Sequence, residues 1–224
     1  MARAFQLCFL LVLFPVLLKA QAETATTAAP APAVNFTLDF PGSEPEHYSI
    51  QVQDDGKAHY ESSGKVAPDA DEIDSFHLDF TASLEFRQKV FDLARRAKYF
   101  QRDLDSHGKN LAFTGKKTLA YKDAQRAGMS TYNYSPDPAV QELTGLMQNL
   151  SATLELGHRL DYYHHYQKLA LEQELRRMDD MTRTSPPLEV QAIAPILEQI
   201  VADTSVINVT RARAQRMLDR AAGR

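Results

Sequence analysis

Tryptophan is absent from the 224 residues, and cysteine occurs once, at Cys8. A lone cysteine so near the N-terminus excludes an internal disulfide framework, a Cys-built zinc site and a covalently attached c-type haem. The nine glycines are scattered and form neither Gly-x-Gly-x-x-Gly nor a P-loop, so the sequence offers no phosphate-cradling turn. A Gly-x-Ser-x-Gly nucleophile elbow is missing too. With a net charge of −4 the chain has no broad basic surface, which argues against nucleic acid as a partner. Beyond the first twenty residues no apolar run approaches the roughly 20 residues of a membrane span. The full chain is 44% hydrophobic and 24% charged, which is too apolar for a disordered chain.

The N-terminus reads as a targeting segment. Arg3 supplies a positive start, Phe5 to Leu18 is apolar apart from Gln6 and Pro15, and Ala20-Gln21-Ala22 is a small-x-small triplet of the kind signal peptidase accepts. Residues 1–22 are therefore expected to direct export and to be removed, giving a periplasmic or secreted protein. An anchor kept in place is the alternative. Residues 23–33, rich in Ala, Thr and Pro, cannot bury enough apolar surface to offset the entropy of ordering them and read as a linker.

From Val34 the hydrophobic period becomes two. Phe36, Leu38 and Phe40 form one alternating set, Tyr48, Ile50 and Val52 a second, and Ala58, Tyr60 and Ser62 a third; Phe76, Leu78 and Phe80 follow after the acidic loop 69–74. Asp55-Gly56 between two sets marks a hairpin. Ser83 is placed to cap a helix whose apolar face is Phe86, Val90, Leu93, Ala94 and Ala97. Further strands are predicted at Leu111–Phe113, Leu119–Tyr121 and Ser130–Tyr134. Residues 34–135 thus predict an α+β domain, a mostly antiparallel sheet packed on one helix.

The run Pro45-x-x-Tyr48-x-Ile50-x-Val52 through Asp55-Gly56 to Tyr60, then Phe91-Asp92-Leu93 to Tyr99-Phe100 and a Thr-Leu-x-Tyr strand, resembles a small exported bacterial domain of unknown function. The resemblance covers residues 34–160. It implies an exported α+β module and carries over no catalytic residue.

Residues 136–224 read as a helical C-terminal region. Asp137-Pro138 opens a helix along which Val140, Leu143, Met147, Leu150 and Leu154 recur at spacings of three and four. No proline intervenes before Pro186, and an unbroken helix of that length would outgrow a domain of this size. The expectation is a break near Gly157, or a projecting helix whose Leu143, Met147, Leu150 and Leu154 meet a second copy or an envelope partner. Pro195 is expected to kink a further helix. The pattern Ile193-Ala-Pro-Ile-Leu, then Asp203, then Val209-Thr-Arg211-Ala-Arg-Ala214 and Leu218, within residues 189–221, resembles a single HEAT-type helical hairpin. Arg213, Arg216 and Arg220 form a basic stripe suited to anionic surfaces, or a solvated helix end.

The richest cluster of chemistry is His158, Asp161, Tyr162, Tyr163, His164 and His165. Asp161 and His165 stand four apart and so share a helix face, whereas His158 is about 10 Å from His165 along a helix, too far for one ion. The leading expectation is a non-enzymatic interaction module of the cell envelope with no cofactor. The alternative is a metal-binding or metal-dependent protein that uses the candidates His158, Asp161 and His165.

Overall fold

The computed structural model describes residues 31–66, 73–181 and 186–223. Residues 1–22, read from the sequence as a targeting segment, and most of 23–33 and of the acidic loop 69–74 lie outside the described residues. The fold is α+β. Strands β1 (Ala33–Asp39), β2 (His47–Gln53), β3 (Lys57–Gly64), β4 (Asp74–Thr81), β5 (Lys116–Lys122) and β6 (Ala127–Tyr132) form one antiparallel sheet in the order β4-β3-β2-β1-β5-β6. The first four make a meander. The chain then returns to the other side of β1 and adds the β5–β6 hairpin.

Register follows from the two-residue period. Phe36 stands opposite Ile50 on one side and Leu119 on the other. With Val34, Val52, Tyr60 and Tyr121 these side chains are buried on a single face. Thr37, Ser49, His59 and Thr118 alternate onto the other. The Asp54-Asp55-Gly56 turn works because Gly56 adopts a φ of 95°, a conformation that costs glycine little.

Helix α1 (Leu84–Arg96) starts where Ser83 Oγ accepts a hydrogen bond from the Phe86 amide at 3.2 Å, and it buries Phe86, Val90, Leu93 and Ala94. Helix α2 (Pro138–Tyr166) is capped by Asp137, which accepts from the Ala139 amide at 2.8 Å. Both helices contact the sheet, so the single covering helix expected from the sequence is two.

The projecting stripe is corrected as well. Leu143, Met147, Leu150 and Leu154 are all fully buried in a core that also contains Phe36, Ile50, Leu93 and Leu197. The chain's own sheet and helices cover them, so they offer no surface to a partner. Sheet and helical half share this one core, and among the described residues no separate core marks the boundary between residues 135 and 136.

The helix break falls at residues 167–169 rather than near Gly157. There His164 Nε2 (2.9 Å) and Lys168 Nζ (2.6 Å) both reach Asp203, which pins the end of α2 to a later turn. Helix α3 (Ala170–Met181) then folds back and buries Leu171, Leu175 and Met178. Gly157 has a different role: a Cβ there would overlap Ile193, so the missing side chain lets the following segment approach α2. Helices α4 (Ala194–Ala202) and α5 (Asn208–Ala221) pack as a pair. Pro195 sits in the first turn of α4 and opens it without a kink.

The strand predicted at Leu111–Phe113 is absent. Both side chains are exposed, and the Lys117 ammonium gathers the carbonyls of Thr114, Gly115 and Asn133 at 2.9–3.1 Å, which curls this segment into a loop.

Two glycines on α2 give a paired test. Nothing surrounds a Cβ at Gly145, so Gly145→Ala is expected to stabilise by about 0.5–1 kcal/mol. Gly157→Ala is expected to destabilise by about 1–3 kcal/mol, because Ile193 must move. Urea unfolding of the two variants checks both signs.

Candidate functional site

Beside the end of the sheet, α2 and α3 diverge and leave a cleft of about 460 Å³. The turn after β1 contributes Ser43, Glu44 and Pro45; α2 contributes Ser151, Ala152, Glu155, Leu156 and Arg159; α3 contributes Gln173, Glu174, Arg177 and Met178. Leu38 and Tyr48 complete the apolar wall.

The unusual residue is Glu155. It lies on the inner side of α2 between Leu154 and Leu156 and is only 7% exposed. A carboxylate there needs donors, and the sheet supplies them. Tyr60 Oη donates to Glu155 Oε1 at 2.7 Å and lies 2.9 Å from Ser151 Oγ, which donates to it. Burial alone would raise the Glu155 carboxyl; His158, Ser62 and Tyr60 outweigh it and leave the group below its ordinary value of 4.5. Tyr48 and Tyr60 are pushed well above the usual phenol range, chiefly by burial, so both stay neutral.

His158 extends the chain of contacts. Its Nδ1 is 3.9 Å from Glu155 Oε2, its Nε2 is 3.0 Å from Asp74 Oδ2, and its ring stacks on Phe76 with centroids 4.2 Å apart. Asp74, His158, Glu155 and Tyr60 thus join the start of β4 to the floor of the cleft. One wall is tied by Arg159 Nε to Glu174 Oε1 at 2.6 Å. Arg177 at the rim is exposed and has no ion-pair partner among the described residues.

The three metal candidates do not converge. His158 belongs to the network just described. Asp161 and His165 do share a helix face, but both side chains are more than half exposed, and His165 Nδ1 faces the Asp161 backbone carbonyl at 2.8 Å with the carboxylate 3.7 Å away. Among the described residues no group of three or more His, Cys, Asp or Glu side chains is arranged to hold a metal ion.

The basic stripe lies beside α3. Arg213 pairs with Glu172 at 3.1 Å and Asp179 at 2.8 Å, Arg220 reaches Asp179 at 3.1 Å, and Arg216 lies 4.0 Å from it. Arg213 is therefore spent on the acidic side of α3, whereas Arg216 and Arg220 keep about half of their side chains exposed.

Tyr48, Tyr60, Ser151 and Glu155 escaped the sequence reading as a site. The signal was present, since Ser151, Glu155 and His158 recur at four and three along the apolar side of α2. The sequence matches no protein-family model and no curated protein. No helix among the described residues is long and apolar enough to cross a membrane.

Tyr60→Phe removes a donor from buried Glu155 and is expected to cost about 1–3 kcal/mol at pH 7. Because Glu155 is depressed in the folded chain, its contribution is complete above the unfolded carboxyl value and fades as pH falls through the folded one. Urea unfolding of Tyr60→Phe should therefore show a smaller loss at pH 3 than at pH 7.

Proposed function

We propose that the protein is an exported binding module of the cell envelope whose cleft receives a small amphipathic ligand with one anionic group. The cleft carries this reading. Its volume falls within the roughly 300–1,000 Å³ of small-molecule sites, and it combines an apolar wall with a few fixed polar groups. Leu38, Pro45, Tyr48, Leu156 and Met178 suit an apolar body. The charges deeper in the cleft are already answered: Glu174 holds Arg159, and Tyr60 holds Glu155. Arg177 is the cation left to meet a ligand's charge, which is why the ligand is assigned an anionic group.

The signal-like residues 1–22 support export, and the Ala, Thr and Pro linker suits a module held away from its point of attachment. The alternative metal reading gains nothing from Asp161 and His165, which face solvent.

A fluorescence titration with 1-anilinonaphthalene-8-sulfonate, an apolar body with one sulfonate, tests the cleft. Saturable binding to one site is expected. Arg177→Glu should weaken it about tenfold or more, and Ala152→Trp, which fills the cleft from α2, should abolish it. Binding unchanged in both variants, or no saturable binding, would overturn the reading.

A further inference from the structure

The sheet has two edges of different character. At β6, residues 98–104 run alongside: a Cβ at Gly128 would overlap the Tyr99 carbonyl, and Leu104 donates its amide to Ser130 Oγ at 3.0 Å. At β4 the neighbour within the sheet is β3 alone. Helix α2 reaches β4 through His158, which meets Asp74 and stacks on Phe76, one of its inner-face residues. The strand contains no proline or lysine to deter pairing.

We propose that β4 is a self-complementary edge on which a second copy of this chain pairs, antiparallel, about a two-fold axis at Leu78. This inference is independent of the cleft. Ala82 donates its amide to Gly56 in the same register that sets Ala58 opposite Phe80. In an antiparallel ladder bonded residues alternate. Phe76, Leu78 and Phe80 therefore turn their backbone groups to β3, while Ser75, His77, Asp79 and Thr81 turn theirs outward.

Pairing two copies about Leu78 sets the outward residues opposite one another, with His77 facing Asp79 of the second copy and Ser75 facing Thr81. Each residue of one row thus meets a partner it can bond. Matching donor to acceptor across the axis selects this register. A slip of two residues one way sets His77 against His77, and the other way Asp79 against Asp79. A slip of one residue puts inner side chains on the outer face.

His77 is exposed and has no hydrogen bond or ion pair among the described residues, and the Asp79 side chain is 88% exposed although one oxygen meets His59. On the inner face Phe76 and Phe80, both only half-buried in one copy, come opposite each other across the axis. The same two-fold also brings Ile73, 72% exposed before β4, to the end of the second copy's strand, where Leu84 is 58% exposed. Two exposed apolar side chains at opposite ends of one strand are thereby brought to the same place, twice. The result is a continuous sheet of two copies, an isologous contact.

Light scattering on the full protein over a concentration series tests this against the chain mass found under denaturing conditions. A dimer is expected. His77→Pro removes an outward amide that β3 does not use, so it should give a monomer with unchanged circular dichroism. Asp79→Lys should weaken the dimer about tenfold or more, because it removes the acceptor that faces His77 and sets a donor-only ammonium in its place. Met129→Glu on β6 should leave it intact. A wild-type monomer throughout, a dimer that survives both β4 variants, or one broken by Met129→Glu would overturn the proposal.

Discussion

Everything else in the fold depends on α2 lying over a sheet that is apolar on one side only. Six strands whose inner residues are Phe36, Ile50, Leu119 and their neighbours cannot leave that face in water. Burying each large side chain contributes roughly 1.5–3 kcal/mol, against a net stability of only about 5–15 kcal/mol for a typical domain. Helix α1 is thirteen residues long and cannot span six strands, so Leu143, Met147, Leu150 and Leu154 of α2 complete the layer. The remaining helices follow from that. Helix α3 folds back along α2, and the α4–α5 pair covers what α2 leaves bare, with Ile193 seated against Gly157.

Against this apolar layer one group of polar residues stands together. Tyr48, Tyr60, Ser151 and Glu155 meet where the sheet ends and α3 diverges, and they line or underlie the same cleft. A buried carboxylate costs stability unless its donors are already in place. Here they come from β3 and α2 together, so the polar floor is only as ordered as the contact between those two elements. Similar reasoning explains the far end of α2. Lys168 and the hydroxyl of Ser205 hold Asp203 far below the usual carboxylate range, and His164 adds to them. One side chain thereby ties the break after α2 to the turn before α5.

Much of this was legible in the sequence. The strand sets from Phe36, Tyr48 and Tyr60 have the right faces because a two-residue period admits one reading. The Ser83 and Asp137 caps were placed correctly because cap chemistry is local. Long-range pairing was not legible. Arg213 looks free until Glu172 and Asp179 arrive from another helix. Lys117 looks like an ordinary surface lysine until three carbonyls converge on it. Gly157 reads as a helix breaker in one dimension and as a contact in three. The candidate site was half visible: His158 stood out, while Glu155 was masked by its apolar neighbours.

The central claim is that sheet and helical half are one cooperative unit joined through α2, and native-state amide hydrogen exchange tests it most directly. The account predicts that the slowest amides of β1 and β2, such as Phe36 and Ile50, and those of α2, such as Leu150 and Leu154, open with one free energy. That value should equal the global value from urea unfolding. If α2 amides instead exchanged through an opening more than about 2 kcal/mol cheaper than that of the strands, the sheet would stand without its cover, and the account would be wrong.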